Sequence, residues 1–206
     1  NYLCPKSRER IRSFKGLKIV FIQDDYRWVN RTCLALDYLG VDVLFGLAAP
    51  QYAQLMYRPH FFEKPLRYEM VLAGYVPENL LNLKTKPYEE RALDICYRAR
   101  KLPAWLGYHG QEKWIIADRF LKDAPGYNLK CDISWHESDR IYGKNWIDFL
   151  SNSKAALGTE CGASLCDFDN TIEEKIRNYL KKKPNASFAE FWDMIFKNLD
   201  GKLYVS

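Results

Sequence analysis

The sequence predicts an α/β fold in which mostly parallel strands carry helices on both faces of the sheet. Three observations favour this class. Short apolar runs rich in β-branched residues alternate with stretches of helical spacing along the 206 residues. Residues 17–45 have the pattern of a strand, a helix and a second strand. Prolines punctuate residues 46–92, and we interpret this irregular region as the junction between two lobes.

The first lobe opens with a strand over residues 17–22, whose almost continuous apolar character is typical of a strand covered on both faces. Helical spacing follows over residues 28–39, and Gly40 is the kind of residue that commonly ends a helix. The other elements predicted here are a weak basic helix, a strand, a short helix and a further strand, at residues 6–15, 41–45, 49–57 and 70–73.

The second lobe combines three predicted strands with four predicted helices. The strands cover residues 93–97, 129–133 and 154–157. The helices cover residues 111–121, 145–150, 171–180 and 187–199. Thr171 and Ser187 each precede a glutamate three residues later, which is the pattern of a capping box at a helix start. The predicted domain boundaries are 1–90 and 91–206.

Composition limits the class of protein. The net charge of +5 suits a small phosphate-bearing ligand and does not require a nucleic acid. The six cysteines form no CxxC pair, so reduced thiols are expected rather than a zinc site or a disulfide framework. No apolar stretch has the length of a transmembrane helix and no signal peptide opens the chain, which predicts a cytoplasmic location.

Acidic residues follow the first predicted strand. Asp24 and Asp25 stand just beyond it, at the edge where parallel sheets bind ligands. One of these carboxylates can act as a general base or accept a hydrogen bond from a sugar hydroxyl. An aspartate in this position can equally cap the helix that follows. The residue pattern leaves both interpretations open.

Basic residues follow the strand predicted over residues 93–97. Arg98 and Arg100 come at its end, Gly110 precedes the next helix, and Lys113 lies in the first turn of that helix. Backbone N–H groups at a helix N-terminus and the bidentate guanidinium group both favour phosphate. We therefore predict an anion-binding site here, with a salt-bridged surface turn as the alternative.

A third polar stretch follows the strand predicted over residues 154–157. Glu160, Gly162 and Ser164 lie among small residues that let a ligand approach the backbone closely, although a tight turn explains the same composition. Ser164 is not predicted to be a nucleophile, because the GxSxG motif is absent. The three histidines are widely spaced and predict no metal site.

Seven short runs, in order along the chain, resemble segments of bacterial group 1 glycosyltransferase-like proteins from surface-polysaccharide gene clusters. They cover residues 22–26, 74–77, 94–100, 110–113, 131–134, 143–146 and 157–164. The resemblance implies a GT-B fold, which has two Rossmann-like lobes and a nucleotide-sugar in the cleft. It also implies a partial chain whose first lobe is incomplete.

The resemblance further implies roles for individual residues. In typical members, basic residues near the first strand of the second lobe bind the donor diphosphate. That role falls to Arg98, Arg100, Gly110 and Lys113, with Ala99 where relatives usually carry glycine. An acidic residue of the second lobe meets the donor ribose or sugar.

The role of contacting the donor ribose or sugar falls to Glu160, with Gly162 and Ser164 beside it. Asp24 or Asp25 would orient the acceptor or accept its proton as the catalytic carboxylate.

The resulting expectation is a hexosyltransferase-class glycosyltransferase that moves a sugar from a nucleotide-sugar to a glycan or lipid-linked glycan acceptor. No metal or other cofactor is expected, because arginine and lysine would neutralise the diphosphate. No nucleic acid partner is expected, peripheral association with a membrane is compatible with the acceptor, and the oligomeric state stays open. The alternatives are a non-catalytic or truncated GT-B-like binding or scaffold domain and, on the anion-binding site alone, a phosphate-ester enzyme.

Overall fold

The computed structural model describes residues 3–72, 74, 76–160 and 162–199. Within this part the chain forms two three-stranded parallel sheets with flanking helices, which confirms the predicted α/β class. The chain divides into two compact units. Unit 1 comprises Asn1–Gly74 together with Ala163–Ser206, and unit 2 comprises Tyr75–Gly162. The predicted boundary at residue 90 had grouped everything after it in one lobe, whereas Ala163–Ser206 clusters with the first residues of the chain.

The sheet of unit 1 has the order β1-β2-β3, with every neighbouring pair parallel. Its strands are β1 (Ile19–Phe21), β2 (Val43–Gly46) and β3 (Arg67–Met70). The helices between and before them are α1 (Pro5–Ser13), α2 (Val29–Leu39) and α3 (Pro50–Met56). Gly40 ends α2 with a φ of 65°, and its N–H donates to the carbonyls of Asp37 and Leu36, as predicted for a terminating glycine.

The core of unit 1 lies on one face of this sheet. Val29, Cys33 and Leu36 of α2 pack in one buried cluster with Leu44 of β2 and Met56 of α3. Burying these apolar side chains is the main favourable contribution to folding.

The prediction that the first strand is covered on both faces is wrong for the described residues. Ile19 is 46% exposed and Phe21 is 70% exposed. Successive side chains of a strand point to opposite faces, so both residues point away from the face that α2 covers through Val20.

The sheet of unit 2 has the order β5-β4-β6, and both pairs are parallel. Its strands are β4 (Leu93–Arg98), β5 (Cys131–Ser134) and β6 (Ser153–Ala156). Its helices are α4 (Glu78–Leu81), α5 (Tyr108–Asp123) and α6 (Lys144–Ser151). Because β4 is central, the segment that follows it lies beside the segments that follow β5 and β6.

The last described residues return to unit 1. They form α7 (Thr171–Lys182) and α8 (Phe188–Phe191), which continues as a π-helical turn, Trp192–Phe196. The capping box of α8 is confirmed, with Ser187 and Glu190 each accepting from the backbone N–H of the other. The capping box predicted at Thr171 is wrong.

Asp167 supplies the cap of α7 instead. Its Oδ2 accepts from the N–H groups of Ile172 and Glu173, both at 3.0 Å, while Asn170 occupies the left-handed conformation just before the helix. The same residue pairs through its backbone with the segment after β1, where its N–H donates to Tyr26 O at 2.8 Å.

Two further observations concern the predicted chemistry of the chain. Cys4, Cys33, Cys96, Cys131 and Cys166 are free thiols, and burial raises the pKa of Cys166 to about 12. Among the described residues, no helix has both the length and the apolar character needed to cross a membrane. The expectations that involve Ala73 and Cys161 fall on positions outside the described residues.

Candidate anion-binding site

A cavity of about 440 Å³ lies in unit 2 where β4 and the segment after β5 come together. Ligands of parallel α/β sheets bind beyond the carboxyl ends of the strands, and this cavity is in that position. The lining residues come from the end of β4, the turn before α6, and the first half of α5 and α6. They are Arg98, Ala99, Arg100, Lys113, Arg140, Ile141, Tyr142, Gly143 and Trp146.

Two glycines shape the backbone around this cavity. Gly107 precedes α5 with a φ of 75°, and Gly143 precedes α6 with a φ of 57°. Both values lie in the region that favours glycine, because it has no Cβ. Lys113, in the second turn of α5, and Trp146, in the first turn of α6, line the cavity.

Arg98 is engaged within the protein. Its guanidinium donates to the carbonyls of Tyr97, Asp132 and Asp139 at 2.9–3.0 Å. It also donates to Asp132 Oδ1 at 2.7 Å, and it lies 4.5 Å from the centre of the Phe149 ring. Arg98 thus ties β4 to β5 and α6, and its role in the cavity is to position the surrounding segments.

Arg100 and Lys113 differ from Arg98 in having no such partners. In the part of the chain that the structure describes, neither side chain makes a hydrogen bond or an ion pair. Arg140, the fourth cation of the lining, donates to Glu137 Oε1 at 2.7 Å and lies 5.0 Å from the centre of the Tyr142 ring. The cavity therefore offers two unpaired positive charges, which is the electrostatic requirement of a site for a phosphate group.

Gly110 does not line the cavity. It lies buried in α5, where a Cβ on this residue would come within 2.8 Å of Leu106 Cβ. The glycine allows close packing between α5 and the turn that precedes it. Of the four residues predicted to bind the donor diphosphate, Arg98, Arg100 and Lys113 meet at one cavity and Gly110 lies outside it.

Glu160 lines a second cavity of unit 2, of about 600 Å³. The remaining lining residues lie mostly on one face of α5: Tyr108, Glu112, Ile115, Ile116, Arg119, Phe120, Asp123 and Thr159. His109 Nδ1 is 3.1 Å from Glu112 Oε2 and 3.7 Å from Glu160 Oε2, so this histidine faces two carboxylates.

The other two residues of the predicted donor-sugar group lie elsewhere. Gly162 has a φ of 123°, which is a glycine conformation. Ser164 is fully buried and belongs to unit 1. The structure therefore does not bring Glu160 and Ser164 to the same unit.

Asp25 turns into the core of unit 1. Its carboxyl is 4% exposed, and its Oδ2 accepts a hydrogen bond from the Tyr57 hydroxyl at 3.1 Å. Burial raises the pKa of Asp25, and burial together with the nearby Asp25 raises the pKa of Tyr57. Asp24 is exposed. Neither aspartate caps α2, whose first flanking residue is Trp28 in a left-handed conformation with no side-chain cap.

Sequence reasoning gave no role to three charged or aromatic side chains of the anion-binding cavity. Arg140, Tyr142 and Trp146 lie in the connection between β5 and α6 or at the start of α6. The strand-end rule that located Arg98 would have located them, had it been applied to the segment after β5 as well. Only Trp146 lay in a run that carried the resemblance.

Comparisons with family models, with curated proteins and with solved structures find no match. The described residues contain no group of three or more His, Cys, Asp or Glu side chains arranged to hold a metal ion.

Proposed function

We propose that the chain is a glycosyltransferase that transfers a sugar from a nucleotide-sugar to a glycan or lipid-linked glycan acceptor. The observation that carries the proposal is the cavity at the ends of β4 and β5, where Arg100 and Lys113 have no hydrogen-bond or ion-pair partner among the described residues. Under the proposal the two α/β units correspond to the lobes of a GT-B fold. The ordered sequence runs that resemble group 1 glycosyltransferases give the reaction class.

The cavity suits the leaving group of such a reaction. Cleavage of the bond between sugar and diphosphate leaves additional negative charge on the diphosphate oxygens. Fixed cations stabilise this charge as it develops, which lowers the barrier. In the proposal Arg100 and Lys113 provide this stabilisation, Arg98 holds their surroundings in place, and Trp146 offers an aromatic surface beside the phosphates.

The acceptor would meet an exposed carboxylate. Asp24 is exposed, whereas Asp25 is buried against Tyr57, so the proposal assigns the orientation of the acceptor hydroxyl to Asp24 alone. This narrows the two catalytic residues expected from the sequence to one. The proposal assigns charge neutralisation to side chains and involves no metal or other cofactor.

Calorimetric titration with uridine, guanosine and adenosine diphosphates and with pyrophosphate tests the proposal. We expect a nucleoside diphosphate to bind, and the double variant Arg100→Ala, Lys113→Ala to bind it at least about 100-fold more weakly, because two charged hydrogen-bond donors are lost. The control is the double variant Lys84→Ala, Lys130→Ala, which removes the same charge from unit 2 outside the cavity. Equal weakening in both variants would contradict the proposal.

A turnover measurement separates a transferase from a binding protein. We expect release of the nucleoside diphosphate from at least one nucleotide-sugar in a coupled assay. Asp24→Asn should slow this release without changing the affinity for the nucleoside diphosphate, because Asp24 is not among the residues that line the cavity.

The second candidate function is a non-catalytic binding or scaffold domain with the same fold. Two observations favour it: the guanidinium of Arg98 is engaged by the protein itself, and Asp25 is buried. A chain that binds none of the diphosphates in the calorimetric titration fits this candidate. Nucleotide binding with turnover rules it out.

A further inference from the structure

The positive charge of this protein is concentrated at its first residues. Residues 3–18, here called the basic segment, carry six cations and one carboxylate, a net charge of +5. The whole chain also has a net charge of +5, so the other residues balance to zero. The charged residues of the basic segment are Lys6, Arg8, Glu9, Arg10, Arg12, Lys15 and Lys18.

Most of these cations are available to a partner. No ion pair of the described residues involves the basic segment. Its one carboxylate, Glu9, accepts a hydrogen bond from the Tyr38 hydroxyl. Lys18 is engaged, since its ammonium donates to the carbonyls of Arg12 at 3.0 Å and Leu39 at 2.8 Å. Five cations of the basic segment are thus left without a carboxylate partner among the described residues.

Large apolar side chains are exposed at the end of the basic segment and directly after it. Phe14 is 58% exposed and Leu17 is 67% exposed. Ile19 and Phe21 continue the series on the uncovered face of β1, where the Phe21 ring stacks on Phe45 at 4.7 Å. Ile19 and Phe21 are alternate residues of β1, so their side chains project from the same face of the sheet.

This combination of charge and apolar surface distinguishes among the classes of partner. A nucleic acid backbone would engage the cations but would leave the exposed aliphatic and aromatic side chains in water. A second copy of the chain could cover the apolar face but would bring the same positive charge close to itself. A surface of anionic lipids satisfies both features, because its headgroups attract cations and its acyl boundary accepts apolar side chains.

We propose that the basic segment and the apolar residues from Phe14 to Phe21 bind an anionic membrane surface. Helix α1 contributes the charge, since it buries no residue of its own, and the apolar contacts come from the residues that follow it. The interaction is peripheral. It is independent of the anion-binding cavity, so either proposal can fail without the other.

Sedimentation with vesicles tests the surface in the intact chain. We expect binding to vesicles that contain phosphatidylglycerol, little binding to vesicles of phosphatidylcholine alone, and weakening as the salt concentration rises. Binding that is equal on both kinds of vesicle, or absent from both, would overturn the proposal. So would tighter binding to a single-stranded oligonucleotide than to the anionic vesicles.

Three variants test which residues bind. The charge variant Lys6→Gln, Arg10→Gln, Lys15→Gln should weaken partitioning on the order of 100-fold, at about fivefold per cation. The control variant Lys175→Gln, Lys182→Gln, Lys197→Gln changes the net charge equally at exposed positions outside the segment and should bind like the unmodified chain. The apolar variant Phe14→Ser, Leu17→Ser should weaken binding about tenfold.

All of these substitutions fall on exposed side chains, so each variant should keep the circular dichroism of the parent. An equal loss in the charge variant and the control variant would mean that overall charge, and not this surface, drives binding. Unchanged binding by the apolar variant would likewise overturn the proposal. A dimer of the unmodified chain that the apolar variant dissociates would identify the surface as an interface between copies.

Discussion

Each unit carries charged residues at the carboxyl end of its first strand, acidic residues in unit 1 and basic residues in unit 2. In each unit one of these residues bonds within the protein, and the units differ in what the remaining charged residues can bind. In unit 1, Asp25 turns inward and bonds to Tyr57. In unit 2, Arg98 also turns inward and bonds to the segment around Asp132. The units differ in the charged residues beside these two. In unit 2, Arg100 and Lys113 line a cavity, whereas in unit 1 the neighbour of Asp25 is a single exposed carboxylate, Asp24. In both units the charged residue nearest the core has a structural role, and its neighbours are the ones available to a ligand.

The largest expected effect tests Arg98 as a structural residue. Arg98→Ala removes four hydrogen bonds, three of them to backbone carbonyls, so unit 2 should lose about 2–4 kcal/mol of stability. The Asp132 carboxylate is 44% exposed, so water replaces its partner and the loss stays below that of a buried ion pair. Denaturant unfolding followed by tryptophan fluorescence measures the loss.

Arg100→Ala is the matched control for this experiment. Its side chain is exposed and has no partner among the described residues, so stability should change by no more than about 0.5 kcal/mol. A similar loss in both variants would erase the distinction between the two arginines.

A smaller effect is expected for the corresponding pair in unit 1. Tyr57→Phe removes the hydroxyl that donates to Asp25 inside the core, and we expect a loss of about 1–3 kcal/mol in the free energy of unfolding. Asp24→Ala changes an exposed neighbour and should leave stability within about 0.5 kcal/mol. If Tyr57→Phe proves neutral, Asp25 is not held by this hydrogen bond and the comparison between units fails.

The smallest effect concerns pH. Burial raises the pKa of Asp25 above the ordinary aspartate value of 3.8, so the folded chain holds this proton more tightly than the unfolded chain. Between the unfolded and the folded pKa, the folded state binds more protons, and the free energy of unfolding therefore falls as pH rises. Asp25→Asn removes this contribution, so the difference in stability between the variant and the parent should grow in favour of the variant over that window.

Measuring the difference between variant and parent isolates Asp25 from other acids. Asp42 and Asp94 have pKa values lowered by hydrogen bonds to lysine side chains, and their contribution to stability is lost as pH falls. They occur in both proteins and cancel. A difference that is constant across the pH range would contradict the assignment to Asp25.

Local patterns predicted most of the elements. The spacing that predicts a helix over residues 28–39 is matched by Val29–Leu39, and the glycine after it adopts the expected left-handed conformation. The capping box at Ser187 is matched for a similar reason, since its partners are three residues apart. At Thr171 the same pattern misleads, because Asp167 reaches the N–H groups of the helix from four residues upstream.

The number of apolar residues in a strand did not reveal which of its faces are packed against helices. Residues 17–22 have the composition of a doubly covered strand, yet Ile19 and Phe21 are exposed, because which face a helix covers is decided by distant packing. At the anion-binding site the sequence identified Arg98, Arg100 and Lys113. It could not show that Arg98 is engaged and Gly110 is buried, since their partners, Asp132 and Leu106, are fixed only by the fold.

The discontinuity of unit 1 has a consequence for how the chain reaches its native state. Its first and last segments are joined by contacts such as Asn30 with Asp169, 139 residues apart, and Arg27 with Glu173, 146 residues apart. Contacts between residues so far apart in the sequence form late in folding, because the long intervening loop must close first. During synthesis the whole of unit 2 leaves the ribosome before Cys166 and Phe168 can complete the core around Cys33. The unit that begins the chain is thus the last to be finished.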